Sequence, residues 1–361
     1  MGGLGLLMRR RAIQAHPTAG SDYIKFADEA VFNVLMAKGV SSDGVGITKD
    51  DALKVTSIAS WFRNNADITK FEELQYFRNV IDLEDRAFSQ CVNLTKIDLR
   101  WVETMGGSVF EYCPLSYENF ETPHLKVLGA NAFPNAYIRH YTNMGNIAQL
   151  PTEQFPTYGR RDTLQSINIP FGVKVLPTQA FFNYAVLTNI NTSHIEDFGA
   201  SCLRKTALTS VDFSSAKHIR EAAFYDTPLD MEYFDAPNLE SFSTNAFRDA
   251  KIKHFRNFGK ITNIPRGGGS YSNYGVKSYT ESITFPQSVE TIQTYVLYGY
   301  TALKSVTFLS VVPPTISDSV TWDNTGSCPI YVPDASVEAY KTATNWTKVA
   351  DRIRPLSEYQ G

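Results

Sequence analysis

One short pattern recurs along the 361-residue chain: an apolar residue, three variable positions, a small residue, then an aromatic or large apolar one. It is written as LEDRAF ending at Phe88, MGGSVF at Phe110, LGANAF at Phe133, LPTEQF at Phe155 and LPTQAF at Phe181. It continues as FGASCL at Leu203, IREAAF at Phe224, FSTNAF at Phe247 and IQTYVL at Leu297. Successive spacings are 22, 23, 22, 26, 22, 21, 23 and then 50 residues. The last gap holds two units, one of which lacks its aromatic near Ile264, which makes about ten units of roughly 23 residues. A period of this size is the mark of a stacked repeat architecture.

A second element follows each aromatic. It reads LTKIDL at 94–99, LTSVDF at 208–213 and LKSVTF at 303–308, with LQSINIP at 164–170 later in its unit. The period-two alternation at its end predicts a short strand. Two long copies, 114–133 and 228–247, share Pro, Leu, Glu, Phe, Pro, Leu, Asn, Ala and Phe at matched positions 114 residues apart, five units of the repeat. A unit this small cannot bury its own apolar side, so neighbours must bury it together. The repeated Leu, Ile and Phe are therefore read as core rows.

The pattern resembles the BspA-like leucine-rich repeat family of bacterial surface proteins. ITKFEELQYFRNV at 68–80 is similar to the opening segment of such proteins from gut Bacteroidetes and their phages. CPIYVPDASVEAYKTATNWTKVADRIRPL at 328–356 is similar to their closing cap. The resemblance covers about residues 28 to 356. It implies a β-rich solenoid and leaves the chemistry open.

A solenoid needs closed ends. DEAVFNVLMAKG predicts an amphipathic helix from Asp28 to Gly39, and Val337, Tyr340, Trp346, Val349 and Ile353 predict a lid helix over 335–353 with Asp334 as its N-cap. The expected organisation is a tail at 1–27, a helical cap and opening segment at 28–80, the repeats at 81–310 and a closing cap at 311–361. SSDGVGITKDD at 41–51 has Asp and Gly at two positions of a calcium loop, but Val45 stands where an oxygen ligand is needed. It reads as a turn with a helix cap.

Two units are longer than the rest, through 155–165 and through 263–282. The second is rich in Gly, Ser and Tyr, a composition that suits recognition loops. Insertions in repeat proteins tend to gather on one face. Tyr271, Tyr274, Tyr279, Tyr298 and Tyr300 are the candidate ligand contacts. Its GGGS lacks the following Gly-Lys-Ser/Thr of a phosphate loop.

The remaining residues point to no catalytic motif. The six histidines form no H-E-x-x-H pair and none lies at zinc spacing from the four cysteines. His194 and His218, 24 residues apart, read as equivalent edge positions. Cys91 and Cys113 read as small apolar residues stacked in neighbouring units. The net charge of −3 and the scattered Lys and Arg argue against a nucleic-acid stripe. No run of 18 apolar residues predicts a membrane helix, and the N-terminus, with three arginines after a short apolar run, fits a secretory signal poorly.

The expectation is a non-enzymatic adhesion or ligand-binding protein, without cofactor or metal, that meets a protein or glycan at a cell surface or outside the cell. The alternative is a bacteriophage virion component, tail-associated and receptor-binding or accessory, since phage particles leave by lysis.

Overall fold

The computed structural model describes residues 22–152, 157–267 and 274–360. The chain winds as a β-solenoid of about 12 turns of about 23 residues. This exceeds the ten expected, because both end segments add strands in register: Lys70–Phe71 at the front, and Thr315–Ile316, Ile330–Val332 and Ile353–Pro355 at the back. Every strand pair between neighbouring turns is parallel.

Most turns carry two short strands, and each strand gives one residue to an apolar row. The repeat's leading apolar residue forms the first row, as in Leu83, Met105 and Leu128, then Leu176, Phe198, Ile219 and Phe242, then Ile264, Ile292 and Ile316. The turn lacking its aromatic thus does pass through Ile264. The second row runs Phe120, Tyr141, Ile167 and Ile190, and later Phe234, Phe255, Ile283, Val306, Ile330 and Ile353.

The aromatic that ends each repeat stacks on its counterpart one turn away. Phe62, Phe88, Phe110 and Phe133 follow at centroid distances of 5.3, 5.4 and 5.3 Å, nearly parallel. Phe224 and Phe247 stack at 5.4 Å and 3°. Phe155 lies outside the described residues, and it is Tyr158 that stacks on Phe181, at 4.9 Å.

The corner before each aromatic is left-handed. Arg86, Ser108, Asn131, Gln179, Ser201, Ala222 and Asn245 all have φ between 53° and 60°. Such a conformation costs a non-glycine residue about 1–2 kcal/mol. The corner is held by hydrogen bonds to the next turn, such as Arg86 N–H to Gly107 O at 3.0 Å and Phe88 N–H to Val109 O at 3.0 Å.

Prolines divide the first row of strands. The residue after the leading apolar one normally donates its N–H across turns, as Gly129 does to Met105 O at 2.6 Å and Arg220 to Phe198 O at 2.9 Å. Pro151, Pro177 and Pro265 occupy this position and have no N–H to give. The row accordingly falls into three separate sheets, broken on both sides of Leu150 and again before Ile264.

The ends are closed as a solenoid requires. Helix α1 (Glu29–Ala37) buries Val31 and Leu35, with Asp28 as its N-cap. Residues 22–27 are no free tail, since Ile24 and Phe26 are buried. Helix α2 (Lys49–Lys54) starts at a Thr48–Asp51 capping box, and Asp43 closes the turn before it by accepting from the Val45 and Gly46 N–H groups.

The closing lid differs from the single helix expected. Helix α3 spans only Val337–Thr342, a 3-10 segment follows at Thr347–Arg352, and Ile353 enters a strand. Ala343 turns extended at ψ 149°, which ends the helix, and Asn345 follows in the left-handed region at φ 65°. Asp334 accepts from Ser357 N–H rather than capping the helix. The predicted packing still forms: Trp346 lies 4.7 to 5.1 Å from Tyr340, Phe308 and Trp322. All four cysteines are buried free thiols.

Phe247 is wholly enclosed by stacked rings, while Phe171 is 72 % exposed. Phe247→Ala should lower unfolding stability by about 3–5 kcal/mol, and Phe171→Ala should change it by no more than about 0.5 kcal/mol, both read by urea denaturation. Equal effects would show that the aromatic row does not hold the stack.

Asp28 makes a pH prediction. Burial alone would raise its pKa, but hydrogen bonds from Thr69, Lys70 and Ala30 outweigh burial and hold it below the usual carboxylate range. Its contribution is therefore full above the unfolded-state pKa near ~4 and is lost as pH falls through the lower folded value. Asp28→Asn should destabilise the chain by about 1–3 kcal/mol at neutral pH and flatten the acid limb of its stability curve. An unchanged acid limb would remove Asp28 from this role.

Candidate binding surfaces

The tyrosines picked out by sequence separate into three groups. Tyr274 and Tyr300 are fully buried, so these two are core residues and not ligand contacts. The physical reason is the missing repeat aromatic: Tyr274 fills the space, ringed by Phe242, Phe255, Phe258 and Phe285 at 5.5 to 6.1 Å. Tyr271 lies outside the described residues. Tyr279 and Tyr298 are half-exposed, on different rows of the solenoid. Tyr279 donates to Asp230 Oδ1 at 3.2 Å, at the edge of the long-strand sheet. Tyr298 packs under the Lys277 ammonium at 5.3 Å.

The outer face of that sheet holds an extended polar array. Its strands Asp230–Asp235, Lys251–Asn257, Ser282–Phe285 and Ser305–Phe308 bring Tyr233, His254 and Ser282 into one line across three turns. The His254 ring stacks on Tyr233 at 5.6 Å, and its Nδ1 lies 2.8 Å from Ser282 Oγ. The Arg256 guanidinium sits 3.3 Å from the Tyr233 ring centre. With Tyr331 and Tyr359, themselves paired at 4.8 Å, these residues line a groove of about 520 Å³. Tyr233 remains 41 % exposed within it. Burial lowers the His254 pKa and opposes charge on it at neutral pH.

The same contacts occur earlier. His140 Nδ1 lies 2.8 Å from Ser166 Oγ, and Glu118 lies 3.8 Å from His140 Nε2, as Glu232 lies 3.6 Å from His254 Nε2. The order Ser–His–Glu is that of a hydrolytic triad. The geometry differs from one, because neither carboxylate is within hydrogen-bond reach of its imidazole. Glu118 is taken by Arg139 at 3.0 Å and Glu232 by Lys253 at 3.3 Å. The Glu281 N–H beside Ser282 is spent on Lys253 O at 2.8 Å. These are cross-strand polar pairs on a sheet face.

Two histidines fall elsewhere than expected. His218 pairs in register with Asp197, whereas His194 lies before that strand, so they are not equivalent. His194 is buried against Phe171 at 4.7 Å, and burial lowers its pKa. Sequence reading missed three Ser–His pairs, His140 with Ser166, His218 with Ser241 and His254 with Ser282, whose partners stand 26, 23 and 28 residues apart. Aligning the outward positions of consecutive units would have found them. Among the described residues no cluster of three metal-ligating side chains occurs, and no helix is long and apolar enough to cross a membrane.

A stack of parallel coils with polar rows outside and apolar and aromatic rows inside is the architecture of a leucine-rich repeat protein. The BspA type leucine-rich repeat region, in six copies, matches residues 54–161, 157–274 and 269–320, and the chain belongs to this family. No curated protein matches it. Among solved structures, a leucine-rich repeat protein from Bacteroides ovatus ATCC 8483 is 16 % identical, with a TM-score of 0.50 over 77 % of this chain and 76 % of that one. The pneumococcal vaccine antigen PcpA is 15 % identical over 76 % of this chain and 65 % of that one, with a TM-score of 0.35. A leucine-rich cell surface protein from Faecalibacterium prausnitzii A2-165 is 14 % identical over 78 % and 65 %, with a TM-score of 0.23. At these identities the likeness concerns the fold.

The Tyr274 hydroxyl is buried without a hydrogen-bond partner. An unpartnered buried hydroxyl costs stability. Tyr274→Phe should therefore leave stability unchanged or raise it by up to about 1 kcal/mol, measured by urea denaturation. A loss of that size would show that the hydroxyl does have a partner.

Proposed function

We propose that the chain is a non-catalytic binding or adhesion protein that holds a protein or glycan partner on the outer face of its long-strand sheet. The observation that carries this is the groove around Tyr233, His254, Arg256 and Ser282. It offers a partly exposed ring, a cation and several hydroxyls on a backbone fixed by parallel pairing. Binding sites use such a mix of anchor and polar groups on rigid elements. Tyr279 flanks this groove's sheet and is retained as a contact. Family membership supports binding as the general role, and surface association as the setting. The Ser–His pairs orient polar groups there, which is a task of recognition rather than turnover.

The test is binding of the full chain to arrayed glycans and arrayed extracellular proteins. Tyr233→Ala combined with Arg256→Ala should weaken capture of the preferred partner by about 30-fold, the size of one hot-spot loss of ~2 kcal/mol. Unchanged capture by the double variant would refute this groove. Mass spectrometry of source fractions adds the compartment. Envelope or medium enrichment supports surface adhesion, and enrichment in phage particles would move the protein to a virion.

A further inference from the structure

The break in the first strand row around Leu150 leaves backbone groups open on both flanking coils. In a paired coil, Lys174 O accepts from the Glu196 and Asp197 N–H groups, and Leu176 O accepts from Gly199 N–H. At the same positions two coils earlier, no N–H among the described residues donates to Lys126 O or Leu128 O. Across the break, the Lys174 and Val175 N–H groups find no acceptor among the described residues. The Leu150 coil stands between these two edges with a groove on each side. One, of about 390 Å³, lies against 126–128. The other, of about 650 Å³, lies against 172–178 and is lined by Ala148, Leu150, Gly172, Lys174, Val175 and Pro177 among others. Val127 is 53 % exposed and Val175 48 %, and Phe171, next to Gly172, is exposed as well.

We propose that the larger groove takes an extended polypeptide segment of a partner, apolar at alternate residues and carrying an acidic residue, which pairs as an added strand along Lys174 and Val175. Three arguments lead there. An unpaired strand edge is a template for another strand, and an extended peptide is the ligand that presents carbonyls at the strand period. Pro151 and Pro177 keep this edge open, because neither has an N–H with which the protein's own coils could close the ladder. The second argument is the lining. It is mainly apolar, with Val175 turned outward, and it contains no aromatic ring on which a sugar could stack. Charge gives the third. Lys174 is exposed, and its ammonium reaches only the His194 carbonyl, at 3.4 Å. Glu196 in the next coil is held by Lys217 at 2.6 Å, so a carboxylate from outside complements Lys174. The smaller groove has no such cation free, since Lys126 is paired with Glu103 at 2.6 Å. This edge lies on the other strand row from the sheet-face groove and stands independently of it.

A displayed library of random octapeptides, selected on the full chain, tests the proposal. The selected peptides should alternate apolar and polar residues and include Asp or Glu. A synthetic peptide of the selected sequence should slow amide hydrogen exchange at Lys174 and Val175, which are open in the free chain. Lys174→Glu should weaken its binding by about tenfold, because reversal turns an attraction into a repulsion, and Lys174→Gln should give a smaller loss. The Lys174 side chain is exposed, so both variants keep the fold. Lys260→Glu, exposed on a later coil, should bind like the parent. A selection that yields no binder would overturn the proposal, as would peptides that leave those two amides unprotected. So would Lys174→Glu binding like the parent. A dimer in sedimentation that protects the same amides would assign the edge to a second copy of the chain and overturn the partner peptide.

Discussion

Everything in this molecule depends on contact between one turn and the next. A single 23-residue coil has no interior. Its leading apolar residue, its strand residue and its terminal aromatic all point into a space that only the neighbouring coils fill. Phe110 is buried because Phe88 and Phe133 lie on either side of it. The left-handed corners show the same dependence in the backbone. An isolated coil would relax Ser108 or Ala222 out of that conformation, yet in the stack each corner donates to a carbonyl of the next turn, Ser108 to Ala130 O and Ala222 to Thr244 O. Local strain is thus compensated by cooperative hydrogen bonding along the axis. The same logic explains the caps. Trp346 and the α1 residues Val31 and Leu35 present to the terminal coils what another coil would have presented.

The rows inside were legible in the sequence because they repeat in kind. Leu, Ile and Phe at fixed spacing specify a core whatever lies between them, and the unit around Ile264 was placed by register alone. What escaped was of three sorts. The left-handed corners use Arg, Ser, Asn, Gln and Ala, which carry no common turn signal. The lid was read as one helix because its apolar spacing fits a helix, while the chain in fact turns extended at Ala343 and left-handed at Asn345. The tyrosines of the 263–282 insertion were read by composition as contacts. Tyr274 instead answers a packing demand, since the coil that lost its repeat aromatic needed another ring to close the row, and Tyr300 of the following coil is buried against it. Composition sees that a ring is present and not which way the chain turns it.

Surface chemistry in a solenoid is hidden for a related reason. Residues about 22 apart in sequence become neighbours roughly 5 Å apart in space, so no local window of sequence contains a binding surface. Scattered Arg and aromatic residues gave no basic stripe when read along the chain. Read down one column of the repeat, Arg204, Tyr225 and Arg248 are contiguous. The prolines act on the same scale. Pro151, Pro177 and Pro265 each delete one hydrogen bond between turns, and Pro151 and Pro265 stand directly ahead of the two longer loops. A turn released from pairing on that row can accept extra residues without tearing the ladder.

The two halves of the chain compare position by position. The offset of 114 to 116 residues relates His140 to His254, Ser166 to Ser282 and Tyr158 to Tyr274, and each pair keeps its residue type. These positions hold the coil or orient its face, and both halves need them. At other outward positions the halves differ. Tyr233, Arg256, Tyr225 and Arg248 stand 114 residues after Asn119, Thr142, Glu111 and Pro134. At all four, the second half has a ring or a cation where the first has neither. Two surfaces on different rows of the solenoid changed in the same direction, on a frame that did not change. Packing gives no reason for this, because these side chains lie outside the apolar rows. The first half places rings and cations elsewhere on the same frame, as Lys96, Trp101, Tyr117 and His124 around a groove of its own, so the two halves share a scaffold and differ in where each presents its polar and aromatic groups.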